Sequence, residues 1–274
     1  MAAGWRIAIV LIGTVSIWTL MVWVATSVFG GEVTVVSRIV CASLVFCLAV
    51  AMIVLARRHL DRRPWVSLQL QRWTGAWRPF TIGVVSFLLP SAIGLGIAIL
   101  TGWLRITSEL RPLQLIAAIC FTVLTVMLLE AVPEELIFRG YIYRNVSASI
   151  PPIAAVFVQA ILFAVLGTTL WVATAGWGVL AERGALFFAM GVVLGILRVM
   201  ARSVWNPIGF HLAFQGVAQT LLTQPGIETS NPGAVTMAGI VPAFVSAATI
   251  TLVLTRARPN WRRPEPDEPA GHAP

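Results

Sequence analysis

Runs of roughly 17 to 25 mostly apolar residues alternate with short polar segments along the whole chain. They fall at about 5–29, 38–56, 80–101, 113–132, 152–173, 185–200, 207–222 and 236–255, and such runs are of the length a helix needs to cross about 30 Å of hydrocarbon at 1.5 Å per residue. The pattern predicts an all-α, multi-pass membrane protein of about eight transmembrane helices, with no soluble domain left over. It divides into N-terminal helices with a basic loop (1–112), a core (113–222), a last helix (223–255) and a tail (256–274). The tail, Pro264-Glu-Pro-Asp-Glu-Pro-Ala-Gly-His-Ala-Pro274, is Pro-rich and polar and is expected to be disordered, His272 included.

Composition agrees. The 274 residues are 58% hydrophobic and only 11% charged, with a mean hydropathy of +0.88, whereas a soluble domain is about 25% charged. The net charge of +8 comes entirely from arginines dispersed among the short loops. That dispersal argues against nucleic acid as a partner and for the lipid bilayer. With the N-terminus inside, fifteen of the nineteen arginines fall on the inner side, Arg139, Arg144, Arg198 and Arg202 among them. The positive-inside rule then places both termini in the cytoplasm. The first run has no cleavage site after it and reads as a retained helix. Residues 64–73, within the long loop 57–79, suit either an amphipathic interfacial helix or a plain basic loop. Trp5, Trp77, Trp103, Trp177 and Trp205 suit an aromatic belt. Cys41, Cys47 and Cys120 lie in apolar runs without metal-ligand spacing and read as small core hydrophobes.

Two polar intrusions interrupt the apolar pattern. The first is Glu130-Ala-Val-Pro-Glu134-Glu135-Leu-Ile-Phe-Arg139-Gly140. Ionised groups at the edge of hydrocarbon are costly, so their presence marks a functional site by default. Glu134 and Glu135 point about 100° apart on a helix and must differ in role. Glu135 and Arg139 are spaced i, i+4 in the favourable order for an ion pair. Glu134 is left to take a proton from water. Pro133 is expected to kink the helix and open a cavity beside it. The second intrusion is Asn206-Pro-Ile-Gly-Phe-His211-Leu-Ala-Phe-Gln215, with Asn206 as N-cap, Pro207 at the first helical position, and His211 and Gln215 on one face. Convergence of both intrusions on one water-filled cavity near the cytoplasmic face is one expectation. A polar network that only ties helices together is the other.

Glu134-Glu135-Leu-Ile-Phe138-Arg139-Gly140 resembles the EExxFRG signature of the CAAX protease and bacteriocin-processing family of intramembrane endopeptidases, which includes the type II prenyl-protein proteases. Phe188-Ala-Met-Gly191-Val-Val-Leu-Gly195-Ile-Leu-Arg198, followed by Ser203-Val-Trp205-Asn206-Pro207 and His211, looks like its later motifs. The resemblance covers about 113–222. It implies a polar cavity within helices, Glu134 activating the water that attacks a peptide bond, Glu135 and Arg139 in support, and His211 binding that water or the oxyanion. It also implies a membrane-associated peptide or protein substrate and an inner (plasma) membrane of bacterial type.

Two positions depart from the pattern. Phe163-Ala-Val-Leu-Gly167 carries glycine where the family's middle motif has histidine, and Gln215 stands where the later motif has asparagine. Thr168 or Thr169 is the nearest source of a hydroxyl in the sequence. A histidine at 167 is expected to point toward Glu134 and His211. Catalytic zinc takes three protein ligands plus water, and Glu134 and His211 supply two, with the direction of Glu130 unreadable. Zinc or another divalent metal and a metal-free, Glu-activated water therefore both stay open. Beside the endopeptidase stands a second reading, an impaired relative that uses the cavity as a scaffold, chaperone or bacteriocin-immunity-type binding protein. A small-molecule transporter fits less well, because no inverted repeat is visible and the polar groups cluster near one face.

Overall fold

A computed structural model of the chain describes residues 3–267. Helices α1 (Ala3–Ser27), α2 (Val35–Asp61), α3 (Trp73–Leu100), α4 (Pro112–Ser147), α5 (Pro152–Ala175), α6 (Leu180–Ala201), α7 (Trp205–Leu222) and α8 (Pro232–Thr255) account for the eight expected spans. Seven are long and apolar enough to cross a membrane, and the chain is an all-α multi-pass membrane protein. The eighth, α7, falls short because Asn206, His211, Gln215 and Gln219 dilute it. It can be this polar because it runs between α3, α4, α6 and α8, with eleven of its residues buried.

Successive helix ends alternate between two faces. The turns after α2, α4 and α6 and the chain after α8 share one face, rich in arginine. On the opposite face Ile106–Ser108 (β1) and Ile227–Thr229 (β2) pair antiparallel, Thr107 opposite Glu228. These three-residue strands carry no sequence signal and were not expected.

The span expected at 113–132 does not end there. α4 continues through Pro133 to Ser147, with π-helical turns at Met127–Ala131 and Leu136–Ile142. A wide turn just before proline accommodates the backbone hydrogen bond that proline cannot make, so the helix carries on past residue 132. Its first half exposes Leu113, Ile116, Ile119 and Leu124, whereas 136–145 are all buried. α3 and α7 meet backbone to backbone. A Cβ at Gly83 would collide with the Asn206 carbonyl, and one at Gly209 with that of Phe80. Small residues permit such close approach within membranes. Phe87, Phe210, Phe214 and Phe244 then lock α7 against α3 and α8, with ring centroids 5.1–5.8 Å apart.

No amphipathic helix forms at 64–73. Only a 3-10 turn, Trp65–Leu68, precedes an irregular strap. Leu68 is buried, Gln69 accepts from Arg198 Nη1 at 2.6 Å and from the Val204 amide at 3.2 Å, and Gln71 meets Ser203, the Arg202 carbonyl and the Trp205 indole. These tertiary bonds to the α6–α7 turn replace the helical ladder. Disorder of the tail is likewise corrected for its first part. The Glu265 amide donates to the Ser147 carbonyl at 2.8 Å, Arg144 bonds the carbonyls of Glu265 and Pro266, and Asp267 pairs with Arg57 at 3.1 Å. The acidic residues of the tail find basic partners at the ends of α2 and α4; residues 268–274, His272 among them, lie outside the described residues. Cys41 is buried as expected, but Cys47 and Cys120 face outward from their helices.

Candidate active site

α4 and α7 bring the two polar intrusions together. Glu135 Oε1 accepts from Arg139 Nη1 at 2.9 Å, one helical turn on, and lies 2.9 Å from His211 Nδ1. A carboxylate only accepts, so Nδ1 carries the proton and Nε2 is left with a lone pair in the neutral ring. Nε2 faces Glu134 Oε2 across 4.0 Å. That distance is too long for a direct hydrogen bond and right for one water in reach of both atoms, at about 2.8 Å from each.

The exposures separate the two glutamates as their adjacency required. The side chains of Glu135, Arg139 and His211 are 0% exposed, and that of Glu134 is 20% exposed. Glu134 is thus the member of the cluster that solvent or a substrate can reach. Arg139 is held from three further sides. Its guanidinium lies over the Phe163 ring at 4.5 Å, its Nη2 donates to the Met190 carbonyl at 3.4 Å, and its own carbonyl accepts from Arg198 Nε at 3.1 Å. Arg139 and Arg198 are therefore not loop arginines, as charge counting had them, but fully buried struts.

Gln215 is half-buried and makes no hydrogen bond among the described residues. One turn further along α7, Gln219 Nε2 donates to Glu130 Oε1 at 2.8 Å. Gln219 and Glu130 thereby extend the polar stripe away from Glu134. Gln219 was missed in the sequence, although its i, i+4 spacing from Gln215 was the available signal.

Position 167 does not face an open space. A Cβ there would sit 3.1 Å from the Phe187 ring, which itself packs edge-on against Phe163 at 5.6 Å. A histidine at 167 therefore meets the Phe187 ring at its first side-chain atom, and the ring must yield by a few tenths of an ångström to admit it. Thr169 bonds the Val165 carbonyl, and the buried Thr168 hydroxyl, without a partner, lines a recess between α5 and α6 near Gly184.

Among the described residues, no three His, Cys, Asp or Glu side chains are grouped to hold a metal ion. Glu134 and His211 Nε2 supply two donors and Glu130 is engaged by Gln219, so the donor set falls short of the three protein ligands of catalytic zinc.

Residues 116–217 match the family model described as type II CAAX prenyl endopeptidase Rce1-like. The matched segment holds both intrusions and every residue of the cluster. No curated protein and no solved structure matches the chain.

Proposed function

We propose that this chain, whose residues 116–217 match the family model described as type II CAAX prenyl endopeptidase Rce1-like, is an intramembrane endopeptidase. It hydrolyses a peptide bond of a membrane-associated protein or peptide, with the arginine-rich face turned to the cytoplasm. The observation that carries this reading is the pair of facing acceptors, Glu134 Oε2 and His211 Nε2, at 4.0 Å, with Nε2 buried and otherwise without a partner. A buried polar atom left unpaired calls for a water or ligand.

A water between them gives one O–H to each acceptor, which turns its lone pairs outward. Glu134 removes a proton as the oxygen attacks the scissile carbonyl carbon, and the carbonyl π pair moves onto its oxygen. Collapse of that intermediate breaks the C–N bond, and Glu134 returns the proton to the departing amine. Glu135 fixes the tautomer and direction of His211, and Arg139 holds Glu135. The chain's own groups suffice for each proton transfer.

A second reading, an impaired relative that binds a membrane peptide without cutting it, is favoured by Gly167, beside which Phe187 stands at 3.1 Å from a side chain's first atom. Comparison of membrane peptides from cells carrying the native chain and cells carrying Glu134→Gln separates the two. Proteolysis predicts products present only with the native chain. Identical peptide sets from equally abundant proteins would favour binding.

A further inference from the structure

α2 ends in a cluster of guanidiniums unconnected with the Glu134 site. Arg57, Arg58, Arg62 and Arg63 line a recess of about 440 Å³ together with Val54, Pro64 and Trp65. The backbone there is fixed: the π-helical turn Ala56–Asp61 closes with Arg62 in the left-handed region at φ 53°, and the amides of Arg62 and Arg63 both donate to the Arg57 carbonyl.

Two carboxylates lie nearby, and both are committed to Arg57. Asp61 pairs with it at 2.6 Å and also takes Arg6; Asp267 pairs with it at 3.1 Å and reaches Arg144. Ser67 also accepts from Arg57. Arg58, Arg62 and Arg63 form no ion pair among the described residues. Arg63 Nη1 is buried with no hydrogen-bond partner, a state that normally signals a missing anion or water. Three positive charges without an ion pair among the described residues thus share one recess.

The position of the recess bears on which anion fits it. It lies at the end of the apolar span Val35–Asp61, next to the outward-facing Leu55, and its lining includes the outward-facing Val54 and also Trp65, a residue type enriched at headgroup level. Basic residues next to a span attract anionic lipid, each worth about fivefold in affinity.

We propose that this recess binds the phosphate of an anionic phospholipid headgroup from the adjoining leaflet, through Arg58, Arg62 and Arg63. Arg57 forms the fixed wall rather than the recognition group.

The test uses the full chain in neutral detergent and reads its thermal unfolding midpoint against added phosphatidylglycerol, phosphatidylcholine or soluble glycerol 3-phosphate. A ligand that binds only the folded state raises the midpoint. Phosphatidylglycerol should raise it at concentrations where phosphatidylcholine does not. Arg58→Gln/Arg62→Gln/Arg63→Gln should need about a hundredfold more phosphatidylglycerol. The double variant Arg58→Gln/Arg63→Gln leaves the left-handed residue in place and should need about twenty-five-fold more. Arg256→Gln/Arg258→Gln/Arg263→Gln removes the same charge from the same face and should respond like the native chain. An unchanged response of the double variant, or an equal loss in the control, would overturn the site. Equal potency of glycerol 3-phosphate would overturn its assignment to a lipid.

Discussion

Two buried carboxylates anchor this protein, and they are satisfied to different degrees. Asp61, at the arginine-rich face, accepts from Arg57 at 2.6 Å, Tyr141 at 3.0 Å, Asn145 at 3.3 Å and Arg6 at 3.5 Å, so both of its oxygens are engaged. Glu135 uses only Oε1, for Arg139 and His211, while its Oε2, Arg139 Nε and His211 Nε2 are buried without partners. Asp61 ties α1, α2 and α4 together with both oxygens used, and the atoms left over around it are donors, Nε of Arg6 and of Arg57. A network with open valences is poised to take something in. The contrast lies in the acceptors: those of Asp61 are used up, whereas Glu135 Oε2 and His211 Nε2 stay open.

The largest effect expected is on chemistry. Glu134→Gln should lower peptide-bond hydrolysis by about 10² to 10⁴ while leaving the unfolding midpoint nearly unchanged, because Glu134 makes no hydrogen bond among the described residues that holds helices together. Asp61→Ala should do the reverse. Removal of one partner from a buried ion pair costs about 3–5 kcal/mol, so yield and unfolding midpoint should fall while activity per folded molecule stays. If Asp61→Ala lowers specific activity as much as Glu134→Gln does, the division between the clusters fails. Glu135→Gln should sit between them, with activity down about ten- to a hundredfold from a loosened His211 and a measurable loss of stability. The smallest effect concerns position 167. Gly167→His should overpack Phe187 and cost about 1–3 kcal/mol, a loss relieved in Gly167→His/Phe187→Ala. Strictly additive effects in that double-mutant cycle would show that the two positions do not meet.

The fold class was legible because lipid imposes a single demand, about twenty apolar residues per crossing. Pairings that depend on i, i+4 spacing were legible too, and Glu135–Arg139 is the example. The convergence of Glu134 with His211 followed from both lying in polar intrusions on predicted helices. What could not be read was distance in space. The Gly167–Phe187 contact joins two helices and leaves no periodic trace in either. The strap at Gln69–Gln71 looked like a basic loop or an interfacial helix because its partners, Arg198 to Trp205, lie about 130 residues away. Charge counting treated every arginine as topogenic, yet Arg57, Arg139 and Arg198 are among the largest fully buried side chains. The span was expected to end at 132, yet the helix runs on through Pro133, since the compensating wide turn at Met127–Ala131 has no sequence signature.

That uninterrupted helix has a mechanical consequence. At 36 residues, α4 is about 54 Å long, against about 30 Å of hydrocarbon. Its first half presents side chains to the surrounding lipid; its second is jacketed by protein. Glu134 stands where the two regimes meet, a few residues beyond a widened turn. Stretching or thinning the bilayer would load the lipid-facing half first, as on a lever whose other arm is clamped, and the strain would arrive next to Glu134. Turnover in vesicles of graded acyl-chain length would register this, and a rate indifferent to thickness would show that the joint is rigid.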